Sequence, residues 1–448
     1  MSTTESDTNV DSVGETDVAG SAGTVGAAAT GGDFEPAAVQ RAPRKIVWLL
    51  AVACGVTAAN FYYCQSLLPR IAQSFHSTQP ATGALVTAIQ LGYAAGLFLL
   101  VPLGDITRRR RLVCILLLIE TAAMAVSAAA PTLGVLIAAG ALVGIAGCVV
   151  QILVPYAASI AADHERGQVV GTVFTGLLSG ILVSRTVAGL AGQLFGWRAV
   201  FGGASMLVLI LFGVLFRAME DAEPQVHLSY GRQLRASFEL IVTVPVLRRR
   251  SLIGACVFAA FGLFWATVAF LLAGAPYHYN QAEIGLFALV GAAGASVAPR
   301  AGRLGDRGYQ RPASAAALVI GALSFAAIAA GRTEVLWLIA GVLVMDAAVQ
   351  TVHILNLSVI YELAGAARAR VNSVYMTSYF LGGALGSAVG TQAYRLGGWT
   401  AVASVGAGFL VLGLATWAWD ALVAGRQQRA GIATGSGPVG QGSTQSSR

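Results

Sequence analysis

The chain has 448 residues, of which 56% are hydrophobic and only 11% are charged, and its formal net charge is +7. A soluble chain carries about 25% charged residues, so this composition excludes a soluble fold of this size and indicates a polytopic membrane protein. The five cysteines lie in apolar runs without a C-x-x-C pair or a His/Cys cluster, which argues against a metal site or a disulfide framework.

The two ends of the chain differ in composition from the rest. Residues 1–44 are rich in Gly, Ala, Ser, Thr and acidic residues, and they lack the basic start and apolar core of a signal peptide. Residues 422–448 are rich in Gly, Ser and Gln. We predict that both segments are disordered cytoplasmic tails.

Between the tails, apolar runs alternate with short polar breaks. Crossing ~30 Å of hydrocarbon takes about 20 helical residues. The predicted spans cover residues 46–66, 82–103, 112–130, 134–161, 168–192, 198–216, 250–273, 282–302, 312–331, 334–361, 372–395 and 399–421. The pattern predicts an all-α membrane protein with about twelve transmembrane helices. They form one bundle over 45–216 and another over 250–421, joined by a cytoplasmic loop over 217–249.

Basic residues collect in alternate loops. They include Arg41, Arg44 and Lys45, Arg108 to Arg111, Arg166, Arg217, Arg232, Arg235, Arg248 to Arg250, Arg303, Arg307, Arg311, Arg368 and Arg370. The other loops hold only Arg70, Arg198, Arg332 and Arg395. By the positive-inside rule both termini are cytoplasmic, and the Arg- and Ala-rich composition suggests a bacterial inner membrane. Topology thus accounts for the basic charge without a nucleic-acid partner.

The two halves repeat at an offset of about 200 residues. Gly104-Asp105 matches Gly305-Asp306, and Gly196-Trp197 matches Gly398-Trp399. Gly180 in the fifth span likewise matches Gly382 in the eleventh. The repeat predicts two six-helix bundles of similar structure.

Two motifs carry a family resemblance. The loop Leu103-Gly104-Asp105-Ile106-Thr107-Arg108-Arg109-Arg110-Arg111 resembles the signature G-x-L-a-D-r-x-G-r-[RK] of the major facilitator superfamily, with three departures. Its second copy, Gly302-Arg303-Leu304-Gly305-Asp306-Arg307, keeps the first six positions. The resemblance implies the MFS fold, as two pseudo-symmetric six-helix bundles, and gating roles for Gly104, Asp105, Arg109, Arg110, Gly305, Asp306 and Arg307.

The fifth span is similar to a second motif, G-x8-G-x3-G-P-x2-G-G of twelve-span drug:proton antiporters. The chain has Gly171, Gly180, Ser184, Arg185, Ala188 and Gly189 at those spacings, so Ser, Arg and Ala replace Gly, Pro and Gly. This partial match favours an antiporter-like bacterial branch. The resemblance also implies that the fifth and tenth spans line a central cavity.

Ionisable residues inside the spans are the proton-coupling candidates, because a charge at mid-bilayer costs at least ~2.5–3.5 kcal/mol. They are Asp346, His353, Glu120 and Arg185. Asp346 is interpreted as a proton- or cation-binding carboxylate or as half of a structural ion pair. Arg185 is interpreted as a site for an anionic substrate or as a partner for a carboxylate. Glu120 is expected to pair with a neighbouring helix.

The tenth span carries polar residues at spacings of four, three and three, which place them on one helical face. With aromatic and amide residues of other spans they form the predicted substrate cavity. The cavity candidates are Asn60, Tyr62, Tyr63, Gln65, Gln90, Gln151, Arg185, Trp265, Asp346, Gln350, His353 and Asn356.

These features predict a secondary active transporter that exports a small organic molecule by alternating access. The sequence has no G-x-x-x-x-G-K-[ST] phosphate loop, so we expect the proton-motive force and no bound cofactor to drive it. The expected partners are a small-molecule substrate and the lipid bilayer, with the monomer as the working unit. One alternative is a proton symporter that takes up an organic anion, and another is a non-transporting sensor or scaffold. No H-E-x-x-H or G-x-S-x-G motif suggests an enzyme.

Overall fold

The structure is a computed structural model that describes residues 44–162, 164–220, 229–291, 298–364 and 368–433. Within these ranges it is helical and contains no strands. Ten helical stretches of the described residues are long and apolar enough to cross a membrane. One of them, Arg370–Val423, divides at Gly398, whose φ of 63° interrupts the helix. The predicted all-α membrane fold is confirmed.

The described part of the first half contains nine helices. They are α1 (Arg44–Asn60), α2 (Tyr63–Ser74), α3 (Gln79–Leu99), α4 (Leu103–Ile106), α5 (Arg109–Ala129), α6 (Leu133–Gly147), α7 (Val150–Ser159), α8 (Arg166–Phe195) and α9 (Trp197–Ala218). The hydroxyls of Thr78 and Thr132 accept hydrogen bonds from backbone N–H groups at the starts of α3 and α6. These N-caps fix where the helices begin.

The described part of the second half contains six helices after the central segment. They are α11 (Pro245–Ala273), α12 (Gln281–Phe287), α13 (Ala298–Asp306), α14 (Gln310–Ala330), α15 (Val335–Ala364) and α16 (Arg368–Ala433). The predicted eighth span, 282–302, is described only in part because residues 292–297 lie outside the described ranges. A capping box between Asn280 and Glu283 starts α12.

Several predicted boundaries differ from the structure. The first span is interrupted between Asn60 and Tyr63 and then continues to Ser74 rather than ending at 66. The fourth span is interrupted between Gly147 and Val150. The central segment 217–249 holds the helix α10 (Tyr230–Thr243), and α11 already begins at Pro245. The last helix extends to Ala433, into the segment predicted to be disordered.

Backbone geometry repeats between the halves. Gly196 and Gly398 both adopt positive φ, at 83° and 63°, where α8 meets α9 and where α16 bends. This region favours glycine because it has no Cβ. A Cβ added at Gly180 would collide with the carbonyl oxygen of Gly55, and one added at Gly382 would collide with that of Ala255. Small residues thus allow the same close helix crossing in both halves.

Two helix pairs form hydrogen bonds between the halves. On one side α3 and α16 run antiparallel, with the Thr87 and Ser387 hydroxyls 2.8 Å apart and Ser373 donating to the carbonyl of Leu97 at 2.8 Å. On the other side the Thr186 hydroxyl on α8 donates to the carbonyl of Gly285 on α12 at 2.8 Å. The residues between these pairs form the centre of the molecule.

Candidate functional site

Arg185 of α8 lies buried between the two halves, with 6% of the residue exposed. Its Nε donates to Gln65 Oε1 at 2.6 Å. Its guanidinium carbon lies 4.5 Å from the ring centre of Tyr62 and 4.4 Å from that of Trp265. Stacking on aromatic faces stabilises a cation that water does not reach. Because Trp265 belongs to the second half, Arg185 contacts both halves.

Asp346 of α15 faces Arg185 from the second half. It is 4% exposed and close enough for the two charges to interact electrostatically. Among the described residues, however, no ion pair within 4.0 Å joins them, and Asp346 Oδ1 and Arg185 Nη2 have no hydrogen-bond partner. The structure therefore holds a cation and an acid close together, each with an unused polar atom.

Aromatic rings from both halves form a cluster next to this pair, because Tyr379 is close enough to Asp346 for an electrostatic interaction. The ring centres of Tyr93 on α3 and Phe380 on α16 are 4.3 Å apart, and those of Phe258 on α11 and Tyr379 on α16 are 4.1 Å apart. The His353 ring is 4.6 Å from that of Tyr379. Apolar walls with few polar groups are typical of sites for organic ligands.

Two predicted amides lie at the edge of the aromatic cluster. Gln151 donates to the Tyr93 hydroxyl at 3.5 Å. Gln90 is 2% exposed, and a Cβ added at Gly383 would collide with its Oε1, so it packs directly against α16. The structure thus places Tyr62, Gln65, Arg185, Trp265 and Asp346 together, with Gln90 and Gln151 nearby.

The polar residues on one face of α15 contact different parts of the protein. Gln350 is half-buried, and His353 Nδ1 lies 3.2 Å from the hydroxyl of Tyr375. Asn356 is fully buried and accepts a hydrogen bond from Arg250 Nη1 at 3.4 Å. Asn356 therefore belongs to a polar network with Arg250.

Sequence reasoning missed the centre of that network. Arg249 Nε lies 2.5 Å from Asp420 Oδ1, and Arg250 Nη2 lies 3.0 Å from Asp420 Oδ2. All three residues are less than a tenth exposed. The basic run Arg248 to Arg250 predicts charges that set the topology, whereas the structure buries Arg249 and Arg250. The acidic residue within the apolar run of the twelfth span was the available signal for a buried ion pair.

Glu120 lies in the first half, away from Arg185. It is fully buried on α5, and Asn60 Nδ2 donates to its Oε1 at 2.8 Å. Tyr63 is close enough to interact electrostatically with Glu120. Asn60 and Tyr63 thus adjoin Glu120.

The predicted gating loop is described in part. Arg109 Nε donates to the carbonyl of Gly104 at 3.3 Å, and Arg110 Nη2 donates to that of Phe216 at 2.5 Å. Arg307 is exposed. The side chains of Asp105 and Asp306, together with the surroundings of Gly305, lie outside the described part of the structure. Their gating roles stay predictions.

The described residues hold no group of three or more His, Cys, Asp or Glu that could bind a metal ion. All five cysteines are buried and free. The chemistry available at the centre is therefore that of one guanidinium, one carboxyl group and aromatic surface. Such a set can bind an organic molecule and take up a proton.

Comparisons with known proteins agree with this architecture. The chain is 44% identical over 372 residues to YgaY, an uncharacterized transporter of Escherichia coli, and the match covers 83% of this chain and 94% of YgaY. It is 38% identical over 381 residues to a probable transporter of Streptomyces coelicolor, covering 83% and 86% of the two chains. It is 31% identical over 283 residues to a chloramphenicol resistance protein of Streptomyces lividans, covering 61% and 69%.

Solved structures show the same fold. A bacterial homologue of the human lysosomal transporter Spinster superposes with a TM-score of 0.69 at 14% identity, over 84% of this chain and 96% of that one. The family model of the Major Facilitator Superfamily matches residues 50–387. The chain therefore belongs to the major facilitator superfamily and is a multi-pass membrane transporter.

Proposed function

We propose that this protein exports a small organic molecule across the bacterial inner membrane in exchange for protons. One observation carries the proposal: Arg185 and Asp346 lie buried between the two halves without a direct ion pair, and each keeps an unpartnered polar atom. Holding each of these charges at the centre of a bilayer costs at least ~2.5–3.5 kcal/mol. We therefore interpret them as groups that bind a ligand or a transferred ion. Asp346 is the proton carrier in this proposal.

Exchange at Asp346 follows from competition between a proton and a substrate. A charged carboxylate is stabilised by Arg185, whereas protonation leaves the guanidinium free to contact a substrate. The aromatic rings of Tyr62 and Trp265 then provide apolar surface for the same molecule. Alternating access would rock the halves about this site, along the α3–α16 and α8–α12 contacts.

Direction and substrate class rest on a relative and on topology. The similarity to a chloramphenicol resistance protein supports export of an organic molecule of that kind. The basic residues of alternate loops support cytoplasmic termini. The proton-motive force supplies the energy, and the monomer contains the complete site.

A second candidate function is uptake of an organic anion together with a proton. The observation that favours it is the unpartnered Nη2 of Arg185, which is a donor suited to a carboxylate or phosphate group. Under this alternative the anion replaces Asp346 as the nearest negative charge. The two functions require opposite directions of proton movement relative to the substrate.

Inside-out membrane vesicles with an acidic lumen test the proposal, with radiolabelled chloramphenicol as the probe. We expect accumulation that collapses when the pH gradient is dissipated and that Asp346→Asn abolishes. Glu239→Gln is the matched control, because Glu239 pairs with Arg235 at an exposed position of α10. Accumulation that ignores the gradient and survives Asp346→Asn would contradict proton exchange. Accumulation of an anion into right-side-out vesicles from an acidic medium would instead support uptake.

A further inference from the structure

The first half contains a buried carboxyl group that the exporter proposal leaves unused. Glu120 is fully buried, and its only hydrogen bond within the described residues comes from the neutral amide of Asn60, at 2.8 Å. No described cation forms an ion pair with it. A buried carboxylate without a cation is costly, and a bound proton removes its charge.

The hydrogen-bonding pattern fits a bound proton. Glu120 Oε2 and Asn60 Oδ1 are both buried acceptors that have no donor among the described residues. A charged carboxylate offers only acceptors, whereas a protonated one offers an O–H donor. A single proton on Oε2 therefore supplies the donor that the pair lacks, and the Asn60 amide can bind a carboxylic acid with one hydrogen bond in each direction.

Two interruptions in the spans lie beside this pair. Asn60 is the last residue of α1, and Tyr62 N–H bonds to the carbonyl of Ala59, three residues back, rather than four. Cys148 lies at the interruption between α6 and α7 and is close enough to Glu120 for an electrostatic interaction. There the N–H of Val149 bonds to the carbonyl of Ala146, again three residues back. Short turns of this kind inside long helices are frequent at hinges.

The interruption in the first span also touches the Arg185 site. Asn60, on one side of it, binds Glu120, whereas Tyr62 and Gln65, on the other side, contact Arg185. The titratable groups that face Glu120 are Tyr63 from α2 and Cys148 from the α6–α7 junction. A change at Glu120 thus reaches Arg185 through a segment of a few residues that lacks regular α-helical hydrogen bonds.

We infer that Glu120 and Asn60 form a second proton-binding site, in the first half, which acts on the Arg185 site through the interruption in the first span. The inference rests on the proposed exporter function for its role in transport. Its proton is taken from and returned to water, and no other group is transferred. Each half then contributes one carboxyl group to coupling, Glu120 from the first and Asp346 from the second.

Infrared spectroscopy of the full-length protein in lipid nanodiscs tests the bound proton without any substrate. We expect a protonated-carboxyl band at neutral pH that shifts in D₂O, disappears in Glu120→Gln and persists in Asp346→Asn. A band unchanged by Glu120→Gln would overturn the site. A band that does not shift in D₂O would show a permanently trapped proton and would overturn its role in transport. Failure of chloramphenicol export would leave this result intact.

Tryptophan fluorescence tests the link to Arg185. The experiment uses a variant in which Trp265, which stacks on Arg185, is the only tryptophan and the others are replaced by Phe. The variant also carries Asp346→Asn, which removes the carboxylate close to Arg185. We expect a change in Trp265 emission between neutral and alkaline pH, and its loss on adding Glu120→Gln. A pH response that is the same with and without Glu120→Gln would overturn the link. The infrared experiment still tests the proton-binding site if this variant does not fold.

Discussion

The first half is interrupted where the second half is continuous. Its first and fourth spans break at Phe61–Tyr62 and Cys148–Val149, whereas the corresponding helices α11 and α15 run unbroken over Pro245–Ala273 and Val335–Ala364. Polar groups differ in the same way. Among the described residues, Glu120 of the first half has only an amide as a hydrogen-bond partner, whereas Asp420 of the second half forms ion pairs with Arg249 and Arg250.

This contrast suggests different tasks for similar bundles. A continuous helix with a paired charge cluster is expected to keep one geometry. Any movement that separates the pair would leave a buried charge without its partner, which is strongly destabilising. An interrupted helix beside an underbonded carboxyl group can change its local hydrogen bonding at low cost. We therefore expect the first half to bend during transport and the second to move as a more rigid body.

Removing the acid of the buried network is expected to have the largest effect. Asp420→Asn leaves Arg249 and Arg250 without their carboxylate partner and should lower the free energy of unfolding by about 3–5 kcal/mol. Glu239→Gln, at an exposed ion pair, should change it by less than about 1 kcal/mol. SDS titration of the purified protein measures both. Equal effects would refute the view that the network stabilises the second half.

Adding a methyl group at the equivalent helix crossings should have the next largest effect. Gly180→Ala and Gly382→Ala place a Cβ against a backbone carbonyl, and each should cost about 1–3 kcal/mol of unfolding free energy. Gly171→Ala and Gly408→Ala are controls, because a Cβ meets nothing within 4 Å there. Thermal unfolding in detergent compares the four variants. A cost confined to one half would contradict the structural repeat.

Arg185→Lys should reduce gradient-driven chloramphenicol accumulation about tenfold, because lysine keeps the charge but loses the planar fork that stacks on Tyr62 and Trp265. Arg198→Lys is the matched control. Arg198 also lies over an aromatic ring, 4.2 Å from that of Trp197, but it is exposed. The initial rate of accumulation in inside-out vesicles measures the effect. Similar losses in both variants would exclude a specific role for Arg185.

The smallest effects are expected at the repeated tryptophans. The indole N–H of Trp197 donates to Ser74 Oγ at 2.9 Å, and that of Trp399 donates to the carbonyl of Ile328 at 2.6 Å. Trp197→Phe and Trp399→Phe each remove one hydrogen bond and should each cost about 0.5–1.5 kcal/mol. SDS titration resolves the two values. A much larger loss in one half would show that equivalent residues stabilise the bundles unequally.

The amino-acid sequence by itself determined the membrane class, the approximate spans and the duplicated architecture. These properties follow from local hydropathy and from matching short motifs. The repeated pairs Gly196-Trp197 and Gly398-Trp399 indicated a shared geometry through their residue types and spacing alone, and both glycines do adopt positive φ. Hydropathy also identified Glu120, Arg185 and Asp346 as unusual, because a charge in an apolar run is visible without knowing its neighbours.

Only the tertiary structure decided which polar groups meet. Asn60 and Glu120 are 60 residues apart, and Arg249 and Asp420 are 171 apart, so no local pattern pairs them. The interruptions at Phe61 and Cys148 were equally invisible, because no proline marks them and the apolar runs continue through both positions. Such pairings depend on how helices pack across the bundle, and side-chain spacing along one helix does not encode that packing.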